Sequence, residues 1–343
     1  MTRRMALFTL PELALPFPHP GCHPGVDEAS RDVFAWCDEQ GLFSCASDRR
    51  GTADARPELV AALYYPSADA RVLRLTSRFI AWAFLVDTLD DKRRTDDVAE
   101  CEAIVASLVG VVTGHALPRT PLERAGHVLV EDLSAPRSAA WRRSFVDHLA
   151  AWLPTYIAEA RHRAAGTAPL LEEYLPHRRD GFGVPWLLDL CESALGIDLP
   201  DSVRDLEGYR ALRDATADAI TLVNDLVSAP KEMADGYGHQ AVSIAMHHER
   251  CDPQAAAHLV AALWRERVAA IPPAEERLLA ELTAGDKPDA RRDVARCAHA
   301  YRVMTAGNFM YHFQVGRYER RGTEPVATGD RMAIFVDSQP KSA

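Results

Sequence analysis

An all-α fold is predicted from three observations along the 343-residue chain. Apolar residues recur at spacings of three and four through most of its length, and no stretch sustains the period-two alternation of a half-buried strand. Clusters of Gly, Pro and Asp interrupt that helical texture at intervals. Hydrophobic residues make up 48% of the chain, enough for a large core. With no internal repeat, low-complexity tract or dividing linker, one helical domain spanning 1–343 is expected.

The N-terminal segment carries Pro11, Pro16, Pro18, Pro20 and Pro24 with Gly21 and Gly25. Proline fixes φ and removes a backbone donor, so residues 1–26 are expected as an extended arm lying over the rest of the molecule. From Asp27 onward the spacing predicts helices over 28–41, 56–64, 69–93, 97–113, 121–132, 137–164 and 168–179. Further helices are predicted over 184–193, 200–233, 238–249, 253–270, 274–284 and 289–318. Breaks are expected at 164–168, 195–200, 250–253 and 271–273. Residues 321–343, with Gly322, Pro325, Gly329 and Pro340, form a tail of mixed polarity expected to be mobile.

Charge and cysteine usage exclude several function classes. A formal charge of −10 argues against a nucleic-acid surface or an anionic-membrane surface, both of which need clustered Lys and Arg. A polyanionic ligand would have to be met by local cations or bound metal. The cysteines number seven, are scattered, and include no Cys-x-x-Cys pair, which reads as reduced thiols in a cytoplasmic protein without a zinc site. The arginines before the first apolar stretch are followed by Pro11 and Glu12, not by a cleavage site, so no signal peptide is expected. No apolar run approaches the roughly 20 residues that span a bilayer. The histidines, the His247-His248 pair included, show no metal spacing and read as ordinary polar positions.

Two acidic or polar stripes carry the chemistry. The run Phe84-Leu85-Val86-Asp87-Thr88-Leu89-Asp90-Asp91-Lys92 closes an apolar helix with Asp87, Asp90 and Asp91 on one face. Carboxylates at that spacing repel unless a hard cation such as Mg²⁺ neutralises them. The alternative is a solvated helix end, since Lys92, Arg93 and Arg94 follow. Further on, Asn224, Ser228 and Glu232 stand at i, i+4 and i+8. An amide oxygen, a hydroxyl and a carboxylate form a hard-ligand set that leaves a divalent ion positive enough to hold a diphosphate, with Lys231 beside it. A polar helix face with ordinary hydrogen bonds is the competing reading.

These residues carry a resemblance. Asn224-Asp225-x-x-Ser228-x-x-Lys231-Glu232 resembles the NDxxSxxKE motif of bacterial class I terpene synthases, and Phe84-x-x-Asp87 through Asp91 resembles their FxxDDxxD motif, in the family's order. The stretch Glu172-Glu173-Tyr174-Leu175-x-x-Arg178-Arg179 is similar to the one bearing the family's pyrophosphate-sensing arginine, and Arg178 precedes Asn224 by 46 residues (224 − 178). Near the C-terminus, Gly307-Asn308-x-x-Tyr311 and Gly316-Arg317-Tyr318 are similar to the family's closing GN and RY motifs. Four departures stand out: Thr88 at the second acidic position with the extra acid at Asp90, Pro230 inside the second motif, Asp180-Gly181-Phe182-Gly183 after the sensor, and Tyr311 in place of Trp. Pro230 is expected to disturb one helical turn and displace Glu232, while Gly181 and Gly183 supply the freedom a helix break requires.

The resemblance implies a single-domain helical bundle around a central cavity and a Mg²⁺-dependent terpene cyclase. Asp87, Asp91, Asn224, Ser228 and Glu232 would hold three Mg²⁺ against the substrate diphosphate, with Asp90 as the alternative to Asp91. Arg178, Lys231, Arg317 and Tyr318 would donate to the diphosphate. Phe79, Trp82, Phe84, Phe182, Trp186, Phe309 and Tyr311 are candidates for an apolar, aromatic pocket that shields a carbocation. Arg179 is expected in a structural ion pair, and Asp225, about 100° off the ligand stripe, is expected to be salt-bridged. Farnesyl diphosphate is favoured over geranylgeranyl diphosphate, and the enzyme is expected to be a monomer or homodimer. The alternatives are an isoprenyl diphosphate synthase, disfavoured by the Asn-Ser-Glu second motif, and a non-catalytic helical ligand-binding protein.

Overall fold

The computed structural model describes residues 7–90, 98–235, 238–282 and 288–315. The chain runs through α1 (Val26–Glu39), α2 (Ala46–Ala55), α3 (Pro57–Tyr64), α4 (Ala70–Val86), a 3-10 turn (Asp87–Asp90), α5 (Val98–Val112), α6 (Pro121–Ser134), α7 (Ala139–Trp152) and α8 (Thr155–Ala165). It continues through α9 (Leu171–Phe182), α10 (Val184–Leu195), α11 (Asp201–Arg204), α12 (Glu207–Asp235), α13 (Ala241–Glu249), α14 (Pro253–Glu281) and α15 (Pro288–His312). Among the described residues there is no strand, so the all-α expectation holds. No helix among them is long and apolar enough to cross a membrane.

Local chemistry sets several boundaries. The Asp69 carboxylate accepts from Val72 N at 2.8 Å to start α4. Thr120 and Glu123 satisfy each other's backbone donors at the start of α6, at 3.2 and 2.9 Å. The predicted helix over 137–164 is two helices, because Pro154 follows the Leu153 that caps α7 and brings no donor to continue its ladder. Conversely, α14 runs on through Pro272 and Pro273, where a break was expected. Its Val268, Ile271, Ala274 and Leu278 are all buried, and packing against α12 outweighs the hydrogen bonds the two prolines remove. α2 has no apolar stripe to announce it. Asp48 helps to secure its first turn, accepting from Ser44 N at 3.1 Å and from the Ser44 hydroxyl at 2.6 Å.

The core is organised around α4 and α12. Phe79, Ile80, Ala81, Trp82, Leu85 and Val86 of α4 are buried, and so are Leu212, Ile220, Leu222, Val223, Leu226 and Ala229 of α12. α12 packs on α9, α10, α13, α14 and α15, which places its polar residues inside the molecule. The proline-rich arm lies over α14 and the α3 region: Gln254 exchanges two hydrogen bonds with the backbone of Thr9, and Arg265 donates to Glu12 O at 3.0 Å. His23 N donates to Ala62 O at 3.0 Å. α15 rests on α3 at Gly307, where a Cβ would stand 2.4 Å from Leu63 O. The next residue, Asn308, donates to the Tyr64 hydroxyl at 2.6 Å. The expected C-terminal tail lies outside the described residues.

Candidate active site

Asn224, Asp225, Ser228 and Glu232 lie on one unbroken helix, because α12 continues to Asp235 through Pro230. The expected disturbance at Pro230 is therefore not found as a helix break. The flanking turns hold the proline in place, with Leu226 and Ala229 both fully buried. Ser228 is 2% exposed and Asn224 8% exposed, so this polar stripe is presented to the protein interior rather than to solvent.

Asp225 is fully buried and saturated. Its Oδ1 accepts from Arg178 Nε at 3.1 Å and Nη2 at 2.9 Å, and its Oδ2 accepts from the Tyr174 hydroxyl at 2.7 Å and Ala241 N at 3.0 Å. This is the salt-bridged role expected for it. The same Arg178 Nη2 donates to Asn224 Oδ1 at 3.0 Å. Arg178 thus sits at the stripe from α9, with the Phe182 ring 5.6 Å beneath its guanidinium. Its neighbour turns away: Arg179 pairs with both oxygens of Asp218, at 2.7 and 3.0 Å, and with Asp214 at 2.7 Å. α9 ends at Gly183, whose φ of 80° is the left-handed conformation that suits glycine. A Cβ there would fall 2.3 Å from the Trp186 indole nitrogen. The expected break after the sensor thus falls at Gly183, while Gly181 remains inside α9.

Asn224 is held from its other side by a residue that sequence spacing did not single out. Its Nδ2 donates to His312 Nε2 at 2.9 Å, and His312 Nδ1 donates to Asn308 O at 2.7 Å. The carbonyl assigns the imidazole proton to Nδ1, so Nε2 accepts and the Asn224 amide oxygen is directed to the Arg178 side. Asp87 opens the 3-10 turn after α4, half-buried, and accepts from the Tyr156 hydroxyl of α8 at 3.3 Å. Thr88 donates its hydroxyl back to Leu85 O at 2.5 Å.

The donor set fits a hard cation. The Ser228 Oγ and Glu232 Oε2 atoms are buried and make no hydrogen bond, a costly arrangement for oxygens without a further partner. Burial pushes the Glu232 carboxyl up to about 7; Asp225 acts in the same direction, while Arg178, the adjacent Ser228 hydroxyl and Lys231 oppose it. A cation beside these oxygens would return Glu232 to its charged form. Asp91, Arg317 and Tyr318 lie outside the described residues.

The aromatic candidates divide. Phe79 contacts Trp82 and Trp186, each with ring centroids 5.2 Å apart, and Trp152, which sequence reading passed over, lies 5.9 Å from Trp82 and 5.5 Å from Trp186. Trp82 donates its indole N–H to Leu122 O at 2.9 Å. Phe84 is half-buried at the end of α4, one turn before Asp87. Phe309 instead stacks on Trp264 of α14 at 6.0 Å, and the Tyr311 hydroxyl donates to Ala55 O at 2.5 Å, toward the end of α2.

Tyr156, Tyr174 and His312 reach the site from sequence distances of 69, 51 and 88 residues, which no local spacing could reveal. The histidines also require a correction. Glu159, His177 and His239 bring ligand atoms within 4.8 Å of one another, from three separate elements.

A family model described as "Terpene synthase family 2, C-terminal metal binding" matches residues 78–270. (2Z,6E)-Hedycaryol synthase of Kitasatospora setae is 35% identical over 321 residues, covering 92% of this chain and 94% of that protein. Pristinol synthase of Streptomyces pristinaespiralis is 32% identical over 341 residues, covering 96% and 89% respectively. Among solved structures, hedycaryol synthase in complex with HEPES superposes with a TM-score of 0.80 at 32% identity, over 89% of this chain and 99% of that one.

Proposed function

Because the chain belongs to the terpene synthase family and is a terpene cyclase, a lyase of metal-binding type, we propose that its substrate is farnesyl diphosphate. A further relative, of Cyclocybe aegerita, 27% identical over 330 residues, is named a sesquiterpene synthase, and this favours fifteen carbons over twenty. The observation that carries the site assignment is the pair of buried, unbonded oxygens on Ser228 and Glu232, on the same stripe as an Asn224 oriented by Arg178 and His312.

In this reading Asn224, Ser228, Glu232 and Asp87, with Asp91 or Asp90, hold Mg²⁺, three ions in the closed state. Mg²⁺ held there would supply Lewis-acid neutralisation of the diphosphate's negative charge. Arg178, with its Nε and Nη2 held by Asp225 and Asn224, would donate to the diphosphate from a position already fixed, so little ordering remains to be done when substrate arrives. Lys231, Arg317 and Tyr318 add donors. Asp225, saturated by three protein groups, positions Arg178 and does not bind metal.

The cation left behind needs walls that neither attack it nor admit water. Phe84, half-buried one turn before Asp87, and Phe182 under Arg178 are assigned to that surface because their π faces stabilise positive charge without a nucleophilic lone pair, whereas Phe79, Trp82 and Trp186 are buried in mutual ring contact.

Incubation of purified enzyme and Mg²⁺ with the ten-, fifteen- and twenty-carbon diphosphates, followed by product analysis, tests the proposal. One cyclic fifteen-carbon product, formed without isopentenyl diphosphate, is expected. Exclusive turnover of the twenty-carbon substrate would overturn the chain-length assignment. A requirement for isopentenyl diphosphate would indicate chain elongation instead.

A further inference from the structure

Beside the α12 stripe lies a second cluster with different ligand chemistry. Glu159 comes from α8, His177 from α9, and His239 from the segment leading into α13; one carboxylate oxygen and two imidazole nitrogens lie within 4.8 Å of one another. Glu159 is 4% exposed and His239 6% exposed. His177 is half-buried, and its Nε2 is enclosed without a hydrogen-bond partner.

The His177 ring is in the form that binds metal. Burial lowers the pKa of His177, with His162 and Arg178 acting in the same direction and Asp180 against them, so the ring is neutral at physiological pH. Arg178 does not present an uncompensated charge to the cluster, because its guanidinium is paired with Asp225 at 2.9 Å. The His239 ring is held by its neighbours, stacked on His162 at 5.3 Å and met edge-on by Tyr174 at 5.5 Å. Two imidazoles and one carboxylate suit a borderline transition metal, whereas Mg²⁺ is served by oxygen ligands in octahedral array.

We propose that Glu159, His177 and His239 form a transition-metal site of the Zn²⁺ class, separate from the Mg²⁺ ligands, with water completing a four-coordinate sphere. Donors around tetrahedral Zn²⁺ stand roughly 3.3 Å apart, so the three side chains draw together by an ångström or so on binding, a movement within reach of Glu and His torsions. The site has a mechanical consequence. α8 also carries Tyr156, the hydrogen-bond donor to Asp87, and α9 carries Arg178 next to His177. Zn²⁺ would therefore tie together elements that hold the first acidic motif and the diphosphate sensor.

Co²⁺ provides a spectroscopic probe of this site on the full-length enzyme, titrated in excess Mg²⁺ and then displaced with Zn²⁺. Expected is one equivalent with the visible bands of nitrogen and oxygen ligation, and binding weakened by about tenfold or more in His177→Gln and Glu159→Gln. His177→Gln is the decisive variant, because the side chain is half-buried and folding does not depend on an existing hydrogen bond at Nε2. Asp87→Asn and Ser228→Ala should bind Co²⁺ like the parent. Three results would overturn the proposal: equal affinity in parent and His177→Gln, a thiolate charge-transfer band marking cysteine ligation, or loss of the signal in Asp87→Asn or Ser228→Ala.

Discussion

Replacing Arg178 and Arg179 by lysine separates two guanidinium groups that differ by one position in sequence and entirely in surroundings. Arg178 makes three hydrogen bonds to Asp225 and Asn224, at 2.9 to 3.1 Å, from a side chain only 12% exposed. A lysine places one nitrogen where the fork placed two, so it cannot span both partners while also addressing a diphosphate. Charge-assisted hydrogen bonds of this kind are each worth about 1.5–3 kcal/mol. Losing the fork while keeping one contact should cost about 2–3 kcal/mol of transition-state stabilisation, or roughly 30- to 160-fold in turnover. Arg179 is bound to Asp218 and Asp214 and is 21% exposed; its lysine variant keeps an ion pair there and should turn over within about threefold of the parent. Steady-state kinetics on both proteins, with circular dichroism to establish folding, provide the assay. A crippled Arg179→Lys beside a near-normal Arg178→Lys would place the sensor one residue later and refute the reasoning.

Three further outcomes can be checked on the same protein. Asp87→Asn should remove most activity, whereas Asp90→Asn and Asp91→Asn should have smaller and unequal effects, because those two acids directly precede Lys92, Arg93 and Arg94 in the sequence; equal losses at all three would contradict the ranking. His312→Ala should free the Asn224 amide to rotate and raise the Mg²⁺ concentration at half-maximal activity by about tenfold or more, an effect that titration of Mg²⁺ at saturating substrate measures, while the urea midpoint falls because a buried ring and its two hydrogen bonds are removed. Glu192, buried against Arg204, is pushed up to about 7 by burial and by Asp189, with Arg204, Leu199 N and Arg213 opposing. The folded state therefore holds a proton that the unfolded state has released, so stability should fall by on the order of 2–3 kcal/mol as pH rises from about 4.5 to about 7. Glu192→Gln should flatten that segment of the urea-midpoint profile.

The sequence was most informative where one helix carries the whole pattern. Asn224, Ser228 and Glu232 share a stripe whatever surrounds them, since helical geometry alone sets that relation. Arg178 was a different case: only resemblance selected it over Arg179, and the partners that separate the two, Asp225 and Asp218, lie 47 and 39 residues away. The prolines were misread in both directions. Pro154 separates two helices that periodicity joined, while Pro230 and Pro272-Pro273 sit inside helices whose buried faces hold them continuous. Propensity describes an isolated segment, and at these positions packing decides.

Polar groups in a buried helix ask for an accounting of partners, and α12 separates its residues by the answer. Asp225 has all of its capacity met by Arg178, Tyr174 and the backbone of Ala241. Asn224 has its oxygen met by Arg178 and its amide by His312. Ser228 Oγ and Glu232 Oε2, one and two turns further on, are enclosed beside one another without a well-formed hydrogen bond. An unpaired buried oxygen costs on the order of 1–3 kcal/mol, and a fold that saturates Asp225 so completely has donors in reach of the same helix. Leaving these two oxygens unmet is therefore a local conflict of the kind that marks a functional position. The raised Glu232 carboxyl records the same conflict in its protonation, and a divalent cation resolves both at once.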